Sequence, residues 1–193
     1  RAALGTGEDV RALLVEPEGT TTLYTDVRYR RAARAVEGVE VVRTRRDVAG
    51  ALAELLAGRR VGFEASRISF SHWETIGSAG AELVPTRGLV EALRVIKDEA
   101  ELDAIRRAAG ISDAVYAALA NERLAGRTEA EVAWWIERTF HELGADALSF
   151  GSIVAAGENG ASPHASPGQS IIDEGTLVTV DMGCTVDGYC SDI

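Results

Sequence analysis

Apolar residues in the first half of the chain follow two alternating patterns. Short runs bounded by turn residues predict strands, and apolar residues spaced three and four apart behind Asp or Ser predict helices. The predicted strands are 11–15, 20–24, 39–42, 60–64 and 82–84, and helices are predicted to start at Asp26, at Asp47 and at the Ser71/Glu74 capping box. Strands that alternate with helices in this way predict a mixed α/β sheet with right-handed crossovers.

The second half of the chain is dominated by helical patterns. Residues 85–95 are interpreted as a linker between two domains. Two capping boxes follow, Asp98 with Glu101 and Thr128 with Glu131, and each opens a helix with an apolar stripe. We therefore expect two amphipathic helices to begin the second domain. Gly110 suggests a bend in the first helix, and the adjacent Trp134 and Trp135 of the second are expected in the core.

A strand and a long loop are predicted after these helices. The strand covers 151–156, and the loop 157–168 is rich in Gly, Ser, Ala and Pro. Such a composition allows the backbone to approach a ligand closely. The loop is therefore a candidate wall of a binding site.

The segment 177–193 is predicted to form a β-hairpin. Residues 177–182 are apolar and β-branched, and the Asp-Gly pair at 187–188 strongly favours a tight turn. Asp181 and Asp192 lie an odd number of positions apart, so in a hairpin with an even loop they project from one face, opposed or one diagonal step apart. A bulge between them would break this parity.

Two carboxylates held about 5–7 Å apart on one face repel each other. Inside a protein, one must be protonated or a cation must lie between them. The pattern leaves two interpretations open: an exposed hairpin with solvated acids, or a site for a hard divalent metal, to which carboxylate oxygens are suited.

Composition and charge narrow the class of protein. Of the 193 residues, 46% are hydrophobic and 26% charged, which indicates a folded chain. The net charge of −10 argues against nucleic acid or an anionic membrane as a partner. Neither a membrane span nor a signal peptide is recognisable, so a cytoplasmic location is expected. Because the chain opens on Arg1 rather than Met, the true N-terminus is expected to lie further upstream.

The two cysteines, Cys184 and Cys190, flank the predicted turn. They lie an even number of positions apart, so the hairpin places them on opposite faces. We therefore expect no disulfide, but two buried free thiols.

The C-terminal segment resembles the "pita-bread" metallopeptidases, in the branch of Xaa-Pro dipeptidases (prolidases) and Xaa-Pro aminopeptidases. Asp181-Met-Gly, followed by Gly188-Tyr-Cys-Ser-Asp192-Ile, is similar to their D-x-G…G-Y-x-S-D-[IL] segment. His164, in a Ser-Pro-His context, lies upstream at the distance at which the family places its substrate-facing histidine. Segments 94–106, 25–29 and 61–64 resemble the domain junction and the creatinase-type N-terminal domain of the prolidase branch.

This resemblance implies a fold and a function. The expected architecture is a creatinase/prolidase-like α/β domain over 1–93, a mixed sheet with helices, followed by the first half of an α+β pita-bread domain over 94–193. The implied reaction is hydrolysis of the peptide bond before proline by a hydroxide activated by two divalent ions, with Mn or Co expected. The implied substrate is a small peptide with proline at its second position, and the implied assembly is a homodimer.

The resemblance also implies roles for individual residues. Asp181 is expected to be a terminal metal ligand, Asp192 to bridge both metals, and His164 to donate a hydrogen bond to the substrate or to the developing oxyanion. The family pattern needs a later histidine and two later glutamates, whereas the sequence ends at Ile193. We therefore expect a fragment of a longer enzyme, which alone binds metal weakly and hydrolyses no Xaa-Pro dipeptide even with added Mn.

Two alternative functions share this fold. One is a metal-free hydrolase of the creatinase type, which keeps the histidine. The retention of both Asp181 and Asp192 counts against it, because without metal the two carboxylates would repel each other. The other is a non-catalytic module that binds peptides or proteins.

Overall fold

The computed structural model describes residues 11–193, and the first ten residues of the expected N-terminal domain lie outside this range. The chain divides into two compact units, with the boundary between Ile96 and Lys97. Mixed sheets and helices make up the first unit, and two long helices with short antiparallel strands make up the second, as expected for the fold class.

The first unit alternates strands and helices. Its elements are β1 Arg11–Val15, β2 Thr21–Thr25, a 3₁₀ helix Val27–Tyr29, α1 Arg30–Arg34, β3 Glu40–Arg43, α2 Val48–Leu56, β4 Arg60–Glu64, α3 Phe70–Ser78, β5 Glu82–Thr86 and α4 Leu89–Arg94. Strands β1 and β2 form the predicted antiparallel hairpin, and β3 adds parallel to β2. Strands β4 and β5 form a separate parallel pair. One face of α2 packs with α3 to form the core of this unit.

Side-chain caps fix where these helices begin. The Asp47 carboxylate accepts a hydrogen bond from the Gly50 N–H at 2.8 Å, as its sequence position predicts. Asp26 accepts the Arg28 N–H at 2.8 Å and pairs with the Arg28 guanidinium at 2.7 Å. The hydrogen bond from the Arg28 guanidinium lowers the pKa of the Asp26 carboxyl below its usual value, against the opposing effect of desolvation and with help from the Arg28 N–H.

The second unit begins with its two capped helices. Its elements are α5 Glu99–Leu119, α6 Glu129–Glu142, β6 Ala147–Leu148, β7 Ile153–Ala156, a 3₁₀ helix Gly157–Ala161, β8 Val178–Asp181, β9 Cys184–Val186 and β10 Tyr189–Cys190. Both predicted capping boxes are present, with the Glu101 and Glu131 side chains accepting from the N–H of Asp98 and Thr128.

A single apolar cluster joins the helices of the second unit to its strands. Val115, Val132, Ile136 and Phe140 are fully buried on the inner stripes of α5 and α6. Alternate residues of the strands meet them, among them Met182. Burying side chains of this size stabilises the unit by about 1.5–3 kcal/mol each. The outer face of the same strands is thereby left for the acidic residues.

Two local assignments made from the sequence are wrong. Helix α3 is capped by Ser69 rather than Ser71, because Ser69 has extended backbone and its hydroxyl accepts the His72 N–H. The supposed linker 85–95 contains the end of β5 and the short helix α4. In α4, Glu91 in the first turn and Arg94 in the last complement the helix dipole.

Two expectations about burial also fail. Trp134, expected in the core, is 64% exposed, because it falls between the stripe positions Val132 and Ile136. The two cysteines are free as expected, but only Cys184 is buried. Cys190 is exposed, because it pairs with Thr185 on the outer side of the hairpin.

Gly110 lies inside α5, where the sequence suggested a bend, but the helix runs through it without interruption. A methyl group added there meets open space. We expect Gly110→Ala to raise the free energy of unfolding by about 0.5–1 kcal/mol, because alanine loses less backbone entropy in a helix. The matched control is Gly126→Ala, which also meets open space but has a φ of +88°. It should lower stability by about 1–2 kcal/mol. Urea unfolding of both variants measures the difference, and equal shifts would contradict it.

Candidate metal centre

The hairpin that carries the two aspartates keeps one register along its length. Tyr189 pairs with Val186 beside the turn. Further out, the Ser191 N–H donates to the Cys184 carbonyl at 2.9 Å, and Met182 and Ile193 exchange backbone hydrogen bonds at 3.0 and 3.1 Å. All these pairs belong to the same register, so no residue is inserted between the turn and Ile193.

This register decides how the two aspartates are placed. Asp192 lies opposite Gly183, and Asp181 is two residues before Gly183 on the same strand. The two aspartates therefore occupy diagonal positions on one face of the sheet. Buried Met182 and Cys184 alternate with them and point into the core. The geometry agrees with the diagonal alternative expected from the sequence.

A bulge does occur beside the site, but in the neighbouring strand. Leu148 pairs with Cys184, and the Ser149 N–H donates to the Gly183 carbonyl at 3.0 Å. The next pair is Ile153 with Asp181. The chain thus advances four residues from Ser149 to Ile153 while the opposite strand advances only two, so two residues are extra. The extra residues lie between β6 and β7, which belong to separate sheets, and the pairing of the hairpin stays intact.

The polar atoms of this face are unevenly satisfied. The Oδ1 atom of Asp181 is buried and has no hydrogen-bond partner among the described residues. Asp192 is exposed on the strand beside it. A buried carboxylate oxygen without a donor is costly, on the order of 1–3 kcal/mol or more. A hard divalent cation would satisfy it, and two carboxylates on one face offer the oxygen donors that such an ion prefers.

Asp181 and Asp192 have the chemistry to bind a metal ion, but two carboxylates are not a complete set of ligands. Among residues 11–193, no group of three or more His, Cys, Asp and Glu side chains is arranged to hold an ion. The two aspartates would supply part of a coordination shell.

Gly183 lets the two strands of the hairpin approach closely. A Cβ atom at this position would lie 2.2 Å from the Ser191 carbonyl oxygen and 3.2 Å from the Ser149 Oγ. The Ser149 hydroxyl donates to that same carbonyl at 2.8 Å. The Ser191 hydroxyl lies 2.7 Å from that of Ser112 on α5 and accepts the Cys184 N–H at 3.0 Å. These contacts fix the backbone at Ser191, immediately before Asp192.

His164 lies on the turn that follows the 3₁₀ helix 157–161, and its side chain is exposed. The structure therefore places it on the predicted loop between β7 and β8. It does not form a cluster of three potential metal ligands with the two aspartates. Its imidazole is therefore exposed and does not contribute to the core.

Sequence reasoning missed Glu129, the first residue of α6. Its side chain is fully buried, although it is charged. One carboxylate oxygen accepts the Ala156 N–H at 2.7 Å, the other accepts the Gly168 N–H at 2.9 Å, and the Asn159 amide donates to both at 3.1 and 2.9 Å. The only signal in the sequence was an acidic residue in a first helical turn, which is common on surfaces.

Hydrogen bonds decide the charge state of Glu129. Desolvation by burial acts to raise the pKa of its carboxyl, but the N–H groups of Ala156 and Gly168 and the Asn159 amide outweigh it, so the pKa lies below the usual 4.5. Glu129 is therefore a buried carboxylate surrounded by donors from the loop that carries His164.

None of the helices in the described part of the chain has the length and apolar content needed to span a bilayer.

Comparisons with known proteins identify both units. Residues 3–96 match the Creatinase/Prolidase N-terminal domain, and residues 103–193 match Metallopeptidase family M24. An uncharacterized peptidase of Bacillus subtilis is 33% identical over 175 residues, which cover 88% of this chain and 50% of that protein.

Solved structures give the same result. An Xaa-Pro dipeptidase from Bacillus anthracis matches 99% of this chain and 55% of its own with a TM-score of 0.88 and 32% identity. A prolidase from Pyrococcus furiosus matches 95% of this chain and 54% of its own with a TM-score of 0.85 and 27% identity. This chain spans about half the length of each of these three proteins. The chain therefore belongs to metallopeptidase family M24, with a creatinase/prolidase N-terminal domain ahead of part of the pita-bread domain.

Proposed function

We propose that the complete protein hydrolyses the peptide bond before proline in small Xaa-Pro peptides, with two divalent ions as cofactors. The observation that carries this proposal is the pair Asp181 and Asp192 on one sheet face, with a buried oxygen of Asp181 lacking a donor. Relatives of similar fold are an Xaa-Pro dipeptidase and a prolidase, which supports the substrate class. The proposed metal is Mn or Co. The protein is proposed to act as a cytoplasmic homodimer. Its proposed partner is the peptide substrate, and neither nucleic acid nor a membrane is proposed.

Each residue of the site has a separate task. Asp181 and Asp192 would hold the ions, which when bound would supply an activated water and polarise the scissile carbonyl. His164 would donate a hydrogen bond to the substrate or to the developing oxyanion, a contribution of about 2.7–4 kcal/mol for donors of this kind. The hydrogen bonds of Ser191 and Ser149 would keep Asp192 in place while charge develops.

A hydrolysis assay tests the proposal. The complete protein, treated with EDTA and then reconstituted with Mn²⁺, is expected to cleave alanyl-proline, to leave alanyl-alanine largely intact, and to lose activity again with EDTA. Creatine serves as the third substrate. Creatine turnover that needs no metal would favour the creatinase type, and binding of Xaa-Pro peptides without any turnover would favour a non-catalytic module. Either result would overturn the proposal.

A further inference from the structure

The loop 157–168 has little apolar burial to hold it in place. Of its residues only Ala165 is buried, and most of the others are small or exposed. A loop of this composition gains little from the hydrophobic effect, so its conformation depends on polar contacts. Several of the contacts that the structure provides converge on one side chain, that of Glu129.

Glu129 contacts the chain just before the loop, near the beginning of the loop and at its end. Ala156 ends β7, Asn159 lies in the 3₁₀ helix that follows, and Gly168 closes the loop beyond His164. The backbone of the same helical turn adds to this, since the Ala130 N–H donates to the Gly168 carbonyl at 3.0 Å. The loop is therefore fastened to the first turn of α6 on both sides of the histidine.

The chemistry of these contacts requires a carboxylate. All of its partners donate hydrogen bonds, so both oxygens of Glu129 must accept. A glutamine of the same shape would turn an N–H₂ group towards at least one donor and leave that donor without an acceptor. The position is also rigid, because Glu129 belongs to a helix whose next turns, at Val132 and Ile136, are fully buried.

We propose that Glu129 is a positioning residue, whose buried carboxylate fixes the loop 157–168 so that His164 is presented to the substrate. The structural part stands on the contacts of Glu129 alone. The part that concerns catalysis rests on the proposed function of His164.

Hydrogen–deuterium exchange on this chain tests the structural part. Glu129→Gln is expected to speed exchange of the Ala156 and Gly168 amides about 10-fold or more, since hydrogen bonds to charged groups are strong. Exchange in the interior of α6 should stay unchanged. The matched control is Glu131→Gln. Glu131 lies in the same helical turn, but its carboxylate accepts a hydrogen bond from the Thr128 N–H and does not contact the loop. It should affect only the amides around Thr128. Unchanged exchange of the loop in Glu129→Gln would overturn the proposal.

Kinetics on the complete protein test the catalytic part. Glu129→Gln is expected to lower kcat about 10-fold or more with a smaller change in KM, and to have little further effect when His164 is already alanine. If Glu129 had a merely structural role, the fold-losses of kcat in the Glu129→Gln and His164→Ala variants would multiply in the double variant. That result would overturn the proposal. If Glu129→Gln does not fold, Asn159→Ala removes one donor, leaves the carboxylate, and must show the same non-additivity. A wild-type protein without Xaa-Pro activity would refute the proposed function, but the exchange result would still decide the role of Glu129.

Discussion

Replacing Asp181 with asparagine is expected to weaken Mn²⁺ binding to the complete protein by at least about 100-fold, because loss of residues that merely support metal ligands already costs about 10–100-fold. In the 193-residue chain alone, the same change should raise the free energy of unfolding by about 1 kcal/mol. The reason is that the buried Oδ1 of Asp181 has no donor, and a neutral amide is cheaper to bury than a carboxylate. Isothermal titration with Mn²⁺ and urea unfolding measure the two effects.

The opposite signs of these effects distinguish a functional carboxylate from a structural one. Asp173→Asn is the matched control, because Asp173 is exposed in the turn before β8. It should change neither metal affinity nor stability. An Asp181→Asn chain that unfolds much more easily than the wild type would show that the carboxylate serves the fold, and an unchanged affinity for Mn²⁺ would remove it from the metal site.

The second large effect is expected at Gly183. Gly183→Ala should lower the free energy of unfolding by about 1–3 kcal/mol or more, because the added methyl group would meet the Ser191 carbonyl oxygen at 2.2 Å. That neighbour is backbone in a paired strand, so it cannot turn aside. The strands must separate at the position opposite Asp192, and metal binding by the complete protein should weaken as well.

The control for this substitution is Gly151→Ala. Gly151 belongs to the extra residues of the neighbouring strand, and a methyl group there meets nothing within 4 Å. Urea unfolding of both variants compares a crowded glycine with an open one in the same region. Equal midpoints for the two variants would show that the close approach at Gly183 is not needed.

Local sequence signals predicted the hairpin and most of the helix starts, although not the start of α3. Asp98 and Thr128 open their helices as expected, because a capping box is completed within four residues of chain. The Asp-Gly turn fixed the register that places the aspartates diagonally, since Asp187 adopts the positive φ of 48° that such turns need. The family resemblance then supplied the metallopeptidase assignment, which the domain matches confirm.

Features that depend on distant partners were not predictable in this way. In the sequence, Glu129 is an ordinary acidic residue in a first helical turn. The N–H groups that donate to its carboxylate belong to residues 27 and 39 positions further along the chain. The bulge beside Asp181 involves a neighbouring strand, so the hairpin sequence contains no trace of it. The prediction that Trp134 lies in the core was wrong. A Trp-Trp pair suggests a core, but only one of two adjacent helical positions can face inwards.

The metal-binding roles of Asp181 and Asp192 remain predictions that one crystallographic measurement addresses directly. Crystals of the complete protein soaked in Mn²⁺ and measured at the manganese absorption edge should show two anomalous peaks. Both peaks should lie within about 2–2.5 Å of carboxylate oxygens, one bound to Asp181 and both to Asp192. Peaks located elsewhere, or no peak beside these two aspartates at saturating Mn²⁺, would contradict the account.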